Sequence, residues 1–319
     1  MDRKHARLYR LLRPLVALFM RIVFGYTYET ACNLPKNYIV ISNHVTDYDM
    51  LGVTASFPNQ MYFVASEHVA RMKLYPILKW AFAPIMRPKG ASAAATTMDM
   101  VRKARKGENV CLFAEGVRSW DGVTWPVVPA TGRLVKTAGC GLVTYRLEGG
   151  YFASPMWSGA SMRRGYFHGA PVNVYTPEQR KEMTAAEVQA AIERDLYVDA
   201  YATQRANPRA YKGKRLAEDA ANGVAYTAAH GVLHRLEDHQ EFFVTEGAVR
   251  MDSESLRCGG VEIPMASVTD LAMHGQRALV FTADKQYYEL LPAKGSNSFK
   301  FFLYYDQVKN KKKLRETVR

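Results

Sequence analysis

Short runs of β-branched and aromatic residues, separated by helical patterns, restrict the fold of this chain more than any other feature. Three runs indicate buried strands because nearly all their residues are apolar: Tyr38–Ser42, Met61–Ala65 and Val110–Ala114. Weaker strand candidates are Cys140–Tyr145 and Pro171–Tyr175, and helical periodicity covers about 47–57, 66–83, 92–106 and 130–138. Alternating strands and helices predict an α/β domain with a largely parallel sheet flanked by helices.

The pattern changes in the last third of the chain. Residues 184–187 form a capping-box signature, which predicts a helix from there to about Gln204. Residues 205–223 are rich in Ala, Gly and basic residues and indicate a linker. Residues 224–319 then predict a small β-rich C-terminal domain that ends in a helix over about 298–309. Its strand-like segments are Glu241–Arg250, Leu256–Ile263, Arg277–Thr282 and Gln286–Leu291. This order of strands and a closing helix resembles a pleckstrin-homology-like arrangement at the level of pattern.

Residues 1–25 form a basic amphipathic pattern on a helical wheel. Pro14 either starts a second helix or bends a single one. Two alternatives stay open: a surface helix that covers the core, or a membrane-docking helix that lies in the bilayer plane. We favour docking because, apart from Lys4, the apolar half holds only large apolar side chains. That half contains Leu8, Leu11, Leu12, Leu15, Val16, Leu18, Phe19, Ile22 and Val23, and the other half contains Arg3, Arg7, Arg10, Arg13 and Arg21.

The charge distribution narrows the class of partner. A net charge of +13 indicates nucleic acid, an anionic membrane surface or a phosphorylated substrate. Residues 1–25 hold six Lys and Arg against one acidic residue, and residues 301–319 hold six against two. Most of the positive excess therefore lies in these two segments. A face that binds DNA would run through a folded domain, so we expect no nucleic-acid partner. Lys309–Lys313 is either a solvated segment or an added attraction to anionic lipid.

The sequence shows no sign of a secretory signal, a membrane span or a metal site. No apolar run reaches the roughly 18–20 residues that cross a bilayer, and no signal-peptide pattern is present. The four cysteines lie far apart, which excludes a disulfide framework or a zinc ribbon and fits a reducing compartment: Cys32, Cys111, Cys140 and Cys258. His230, His234 and His239 with Cys258 match no zinc spacing, so we expect no metal.

An Asn-His pair follows the first predicted strand, and an Asp comes five residues after the His. Asn43 and His44 leave the strand 38–42, and Asp49 lies in the next helical pattern. If a helix begins between His44 and Asp49, the carboxylate lies beside the imidazole. A carboxylate in that place fixes the tautomer and stabilises the imidazolium, which makes His44 a competent general base. A strand-end His with a helix-capping Asp is the alternative.

Two further segments place charged residues after apolar ones. Residues 82–86 lead to Arg87, a residue type suited to bidentate phosphate binding, although a surface arginine fits equally. The predicted strand 110–114 is followed at once by Glu115, Gly116, Arg118 and Ser119. Ligands bind α/β sheets at such strand ends, and a glycine permits a tight turn and a close ligand. A salt-bridged structural turn is the alternative for this segment.

Together the three segments resemble, in order and spacing, the glycerolipid acyltransferases, the family that includes 1-acyl-sn-glycerol-3-phosphate acyltransferase. The N-H-x-x-x-x-D block of that family is matched by Asn43, His44 and Asp49. Its second block ends an apolar stretch in Ile-x-Arg, matched loosely by residues 85–87, and its third, F-P-E-G-T-R-S, is matched by residues 113–119. The resemblance covers roughly residues 5–200. Two departures are Ala114 and Val117, where the family has Pro and Thr.

The resemblance implies a glycerolipid acyltransferase fold over residues 26–204. It implies acyl transfer from a thioester, acyl-CoA or acyl-ACP, to a lysophospholipid hydroxyl, with His44 as base and Asp49 orienting it. No acyl-enzyme, metal or other cofactor is expected. The remaining motif residues are implied to bind substrate: Asn43, Arg87, Glu115, Gly116, Arg118 and Ser119. Within that set, Arg87 and Arg118 would hold the acceptor phosphate and Glu115 would orient Arg118 or the glycerol hydroxyl. Backbone N–H groups near Gly116 would stabilise the oxyanion.

The function favoured by these residues is a peripheral or monotopic enzyme at the cytoplasmic face of the cell membrane, making phosphatidic acid from lysophosphatidic acid. Expected partners are the acyl thioester donor with its carrier protein where one is used, the lysophospholipid acceptor and an anionic membrane surface. Glycerol 3-phosphate or another lysolipid stays open as acceptor. So does a non-catalytic lipid-binding or tethering protein, which the departures at Ala114 and Val117 motivate.

Overall fold

The structure, a computed structural model, divides into two compact units, residues 1–155 with 160–211 and residues 156–159 with 212–319. The predicted domain boundaries at residues 25, 204 and 223 stay predictions. Most of the predicted linker and closing helix, the stretch 310–313, Val117 and His239 lie outside the described residues. Those described are 3–66, 69–70, 75–87, 94–116, 118–119, 122–154, 164–206, 225–238, 240–274, 278–293, 296, 298, 301, 305 and 309.

A seven-stranded sheet forms the centre of the first unit. Its strands are β1 (Tyr26–Tyr28), β2 (Tyr38–Ser42), β3 (Met61–Ser66), β4 (Ile85–Arg87), β5 (Asn109–Phe113), β6 (Gly141–Glu148) and β7 (Phe167–Tyr175). They lie in the order β1-β7-β6-β2-β5-β3-β4. Neighbouring strands are parallel, except that β6 and β7 are antiparallel. The predicted α/β domain with a largely parallel sheet is therefore confirmed.

Both faces of the sheet are covered, which explains the uninterrupted apolar run of β2. Tyr38 and Val40 pack on one side, and Ile39 and Ile41 pack on the other. The first side faces α1 (Arg3–Phe24), α2 (Asp49–Ser56) and α3 (Tyr75–Phe82), and the second faces α4 (Ala94–Arg105), α5 (Thr131–Ala138) and α8 (Ala185–Leu196). Because β2 and β5 are parallel neighbours, their carboxyl ends meet at one edge of the sheet.

The single helix predicted over 184–204 is wrong. Helix α8 ends at Leu196, and a separate helix, α9 (Ala200–Ala206), follows it. The residues between them pair with a distant segment instead: the Thr124 N–H donates to the Val198 oxygen at 2.9 Å, and Val123 forms a β-bridge with Asp199. This pairing takes the backbone groups that a continuous helix would use. The short helices α6 (Gly150–Ala153) and α7 (Pro177–Glu182) complete the described helices of this unit.

Helix α1 is anchored to the carboxyl end of α2. The Tyr9 hydroxyl donates to the oxygens of Thr54 (3.3 Å) and Phe57 (3.2 Å), and the Arg13 Nε donates to Ala55 (3.0 Å). These carbonyls lie where a helix runs out of backbone donors. Burial raises the pKa of Tyr9 well above its usual range, so the neutral phenol is the donor. Helix α1 continues through Pro14. No helix in the described part of the chain is long and apolar enough to cross a bilayer.

The second unit is an antiparallel sheet, which confirms the predicted β-rich domain. The order is β11-β10-β9-β8-β14-β13-β12. Its strands are β8 (Ala225–Glu237), β9 (Gln240–Asp252), β10 (Ser255–Cys258), β11 (Val261–Pro264), β12 (Val268–His274), β13 (Ala278–Ala283) and β14 (Gln286–Pro292). Strands β8 and β12 were not predicted. The predicted strand 256–263 is a hairpin that turns at Gly259 and Gly260, with a φ of +53° at Gly259.

Candidate active site

His44 and Asp49 are in direct contact where β2 gives way to α2. The His44 Nδ1 lies 2.8 Å from the Asp49 Oδ2, and Asp49 is the first residue of α2 and fully buried. The His44 side chain is one quarter exposed, and its ring stacks on Phe113 at the end of β5, 4.6 Å between centroids and 19° between planes. The predicted pairing of imidazole and carboxylate is thus present. Asp49 holds the Nδ1 side of the ring, and part of the side chain is exposed to solvent.

The Asp49 carboxylate is fixed by the loop that precedes it. It accepts the Val45 N–H at 2.6 Å, the Thr46 N–H at 2.9 Å and the Thr46 hydroxyl at 2.7 Å. A carboxylate that accepts several hydrogen bonds from one short loop has little freedom to turn. Asp49 therefore both closes the loop 44–48 and orients the His44 ring.

Asn43 holds the His44 loop to β6. Its amide nitrogen donates to the Leu147 oxygen at 2.9 Å, and its amide oxygen accepts the Leu147 N–H at 2.8 Å. The backbone pairing of β2 with β6 ends at Ser42 opposite Tyr145, so the Asn43 side chain supplies the next pair of hydrogen bonds. These contacts give Asn43 a positioning role, because both ends of its buried amide are bonded to backbone, and the implied substrate-binding role stays a prediction.

Glu115 makes the corresponding connection on the β5 side. Its carboxylate accepts the N–H of His44 through Oε1 and the N–H of Trp125 through Oε2, each at 2.6 Å. Glu115 is buried. Both oxygens accept backbone donors, which gives Glu115 a positioning role, and the expectation that it orients Arg118 or a glycerol hydroxyl stays a prediction.

Ser119 completes the enclosure of the His44 main chain. Its N–H donates to the His44 oxygen at 3.3 Å, and the Ala114 N–H donates to the Ser42 oxygen at 3.2 Å. Ala114 is the position where the related family has proline, which has no N–H to donate. The departure at Ala114 therefore adds a hydrogen bond between the two loops without removing a reactive group.

The two predicted phosphate ligands lie beside these loops. The Arg118 Nη1 is 3.3 Å from Asp47 Oδ2. Arg87 lines a mostly apolar cavity of about 140 Å³ together with Phe113, Ala114 and Gly116. Gly116 has a φ of +71°, and a Cβ there would lie 3.7 Å from the Arg87 Nη1. The Gly116 N–H donates to the Phe113 oxygen at 3.1 Å, which removes that group from the donors expected to stabilise an oxyanion.

One group of possible metal ligands lies in the described part of the second unit. Single ligand atoms of His234, Glu241 and Glu289 lie within 4.8 Å of one another. His234 and Glu241 are 3.9 Å apart and Glu241 is mostly exposed, which is the geometry of a surface ion pair. The Cys258 thiol, which the sequence offered as a fourth ligand, instead donates to the Gly231 oxygen at 3.5 Å.

A family model described as Acyltransferase matches residues 26–148, the span that contains all eight predicted site residues. Residues 26–148 therefore match the acyltransferase family. The resemblance to glycerolipid acyltransferases is confirmed with it. No curated protein matches the chain significantly.

Solved structures give the fold of the acyltransferase unit. The 1-acyl-sn-glycerophosphate (LPA) acyltransferase PlsC from Thermotoga maritima matches with a TM-score of 0.50 and 18% identity, over 64% of this chain and 83% of PlsC. The N-terminal PH domain of human ARAP2 matches with a TM-score of only 0.20 and 11% identity, over 25% of this chain and 76% of that domain. The second match is too weak to carry an argument, so the pleckstrin-homology resemblance stays a prediction.

The acyltransferase motifs thus divide into two sets by their contacts. His44, Arg87 and Arg118 present side chains at the edge of the sheet, with Asp49 behind His44. Glu115 and Ser119 bond the His44 backbone, and Asn43 bonds the backbone of Leu147. Gly116 lets the loop turn beside Arg87. Sequence reasoning missed Thr46, Asp47 and Trp125. Two of the three lie inside the first motif block, whereas no signal near Trp125 indicates its bond to Glu115.

Glu115→Gln tests the positioning role of this carboxylate. The new amide nitrogen would face either the His44 or the Trp125 N–H, and an unpaired buried N–H costs about 1–3 kcal/mol. We expect thermal unfolding without substrate to show a lower Tm, and the acyltransferase rate to fall with it. Glu182→Gln, an exposed change on α7, should leave the Tm unchanged. A Glu115→Gln protein of wild-type Tm with a raised acceptor KM would instead indicate direct substrate contact.

Proposed function

We propose that this chain is a membrane-associated O-acyltransferase that moves an acyl chain from a thioester, acyl-CoA or acyl-ACP, to the hydroxyl of lysophosphatidic acid, giving phosphatidic acid. The observation that carries the proposal is the contact between His44 Nδ1 and Asp49 Oδ2 within a domain of the acyltransferase family. The name of the Thermotoga maritima PlsC supports lysophosphatidic acid as the acceptor to test first.

His44 acts as the general base in this proposal. A carboxylate only accepts hydrogen bonds, so its partner Nδ1 carries the proton and Nε2 holds the lone pair. His44 Nε2 takes the proton from the acceptor hydroxyl as that oxygen attacks the thioester carbonyl. The tetrahedral intermediate then collapses, the C–S bond breaks, and the leaving thiolate takes the proton from His44. Asp49 orients the ring and stabilises its protonated form.

The reaction needs no covalent acyl-enzyme. The Cys111 thiol in β5 is buried, and this burial raises its pKa, so the thiol stays protonated and unreactive. We infer that the donor thioester is the only co-substrate and that no metal or other cofactor takes part. Arg87 and Arg118 are proposed to hold the acceptor phosphate, since a guanidinium binds phosphate through paired N–H donors.

Helix α1 is proposed to dock at an anionic membrane surface on the cytoplasmic face. Its apolar residues separate into two stripes, of which Leu8, Leu12, Val16 and Val23 pack on the core. The other stripe is exposed and consists of Leu11, Leu15, Leu18, Phe19 and Ile22. Arg7, Arg10 and Arg21 are exposed as well. An exposed apolar stripe with neighbouring arginines favours insertion at the level of the lipid headgroups.

An acceptor panel tests the proposed reaction. Purified protein with a labelled acyl thioester should acylate lysophosphatidic acid, and glycerol 3-phosphate and other lysolipids serve as alternatives. His44→Ala should lower kcat by about 10²–10⁴-fold because it removes the base, and Asp49→Asn should also lower it strongly. His168→Ala is the matched control, because His168 bonds Thr27 and faces Glu29 outside the site.

Two outcomes would contradict the proposed reaction. Wild-type protein without turnover on any acceptor would favour the lipid-binding or tethering alternative. Equal rates for wild type and His44→Ala would remove His44 as the base even if the protein is an acyltransferase. The two results are distinguishable, since only the first leaves all acceptors unused.

Vesicle sedimentation tests the docking stripe. Leu15→Glu and Ile22→Glu should each weaken binding to vesicles that contain anionic phosphatidylglycerol by about tenfold or more, because burial of one such side chain contributes about 1.5–3 kcal/mol. Met98→Glu on α4 is the matched control, since Met98 is similarly exposed and α4 covers the opposite face of the sheet from α1. Identical binding of all three variants would show that the stripe does not contact lipid.

A further inference from the structure

Asp47 faces one of the two proposed phosphate ligands. Its Oδ2 is 3.3 Å from the Arg118 Nη1. The two residues belong to the loops that hold His44, because Asp47 lies in the loop 44–48 and Arg118 precedes Ser119, whose N–H bonds the His44 oxygen. An anion that binds Arg118 beside His44 therefore meets Asp47 as well.

The two partners differ in exposure. The Arg118 side chain is 17% exposed and that of Asp47 is 71% exposed. A guanidinium withdrawn from water needs acceptors close by, whereas an exposed carboxylate can turn into solvent with little loss. Another anion can therefore replace Asp47 on Arg118, because the Asp47 carboxylate can turn into solvent.

A phosphate at Arg118 and the carboxylate of Asp47 repel each other. Both are anions, and a separation of a few ångströms at the protein surface gives a significant interaction. The neighbouring carboxylate of Asp49 cannot play this part, because it is fully buried and bonded to the loop backbone. Among the described residues, Asp47 is an exposed acidic side chain that forms an ion pair with Arg118.

We propose that Asp47 is a specificity-determining residue, the counter-ion of Arg118 that the acceptor phosphate displaces. The inference rests on the proposed function, in which Arg118 holds that phosphate. Asp47 then stays paired with Arg118 until the acceptor binds and sets how strongly a phosphate-bearing acceptor binds. Only acceptors whose phosphate outcompetes the carboxylate are held next to His44.

Asp47→Asn tests the exchange, because the amide keeps the size of the side chain and removes its charge. The KM for lysophosphatidic acid should fall about two- to fivefold, the range that one exposed ion pair spans. The Kd of glycerol 3-phosphate, measured by calorimetry on the full chain, should fall by a similar factor. Added salt should narrow both differences, because exposed charges are screened.

Two controls separate the exchange from a general charge effect. Asp99→Asn removes another exposed acidic partner of an arginine, Arg102 on α4, and should change neither constant. In an Arg118→Gln background, Asp47→Asn should no longer strengthen glycerol 3-phosphate binding, because the guanidinium for which the carboxylate and the phosphate compete is absent.

An unchanged or raised KM and Kd in Asp47→Asn would overturn the proposal, and a raised value would assign Asp47 to holding Arg118 in place. An equal gain in the Arg118→Gln background would overturn it too. The calorimetric arm needs no turnover. A protein inactive on every acceptor would therefore contradict the proposed function while the role of Asp47 is still decided.

Discussion

Side chains continue the hydrogen-bond ladders of β2 beyond its last residue, and the geometry of the site depends on this continuation. On one side Asn43 bonds the backbone of Leu147, and on the other Glu115 and the Ser119 N–H bond the backbone of His44. Buried backbone groups have to be paired, so a loop between two strands at this depth needs such partners. The result is a histidine whose main chain is bonded on the β5 side, whose preceding residue is bonded on the β6 side, and whose ring is directed by Asp49.

Helix α2 joins this site to the amphipathic helix. Its first residue, Asp49, contacts His44, and its last carbonyls accept hydrogen bonds from Tyr9 and Arg13 of α1. The Tyr26 hydroxyl, buried in the same region, donates to Gly52 in the middle of α2. Arg13 is therefore a structural residue, which divides the arginines of α1 into a core-side member and exposed ones. The open alternatives for this helix are compatible, because one apolar stripe covers the core and another is exposed.

The features that could be predicted from the sequence are those that depend on residues close together in the chain. The strands 38–42 and 61–65 and the pairing of His44 with Asp49 follow from apolar runs and a short spacing. The hairpin at Gly259 and Gly260 was missed although a Gly-Gly pair between strand-like residues indicates one. The split of α8 from α9 could not be predicted, because Val123 and Thr124 pair there across about 75 residues of chain. For the same reason the bonds of Asn43 to Leu147 could not be predicted, because only the folded sheet brings that backbone near.

The tautomer of His44 shows directly whether this residue can act as the general base. Nitrogen-15 NMR of histidine-labelled protein at alkaline pH, with the signal assigned by its loss in His44→Gln, reports which ring nitrogen carries the proton. We expect a neutral ring protonated at Nδ1, toward Asp49, with the Nε2 lone pair available to accept the proton of the attacking hydroxyl. A ring protonated at Nε2 would rule out His44 as the base, because that nitrogen would have no lone pair to accept the proton.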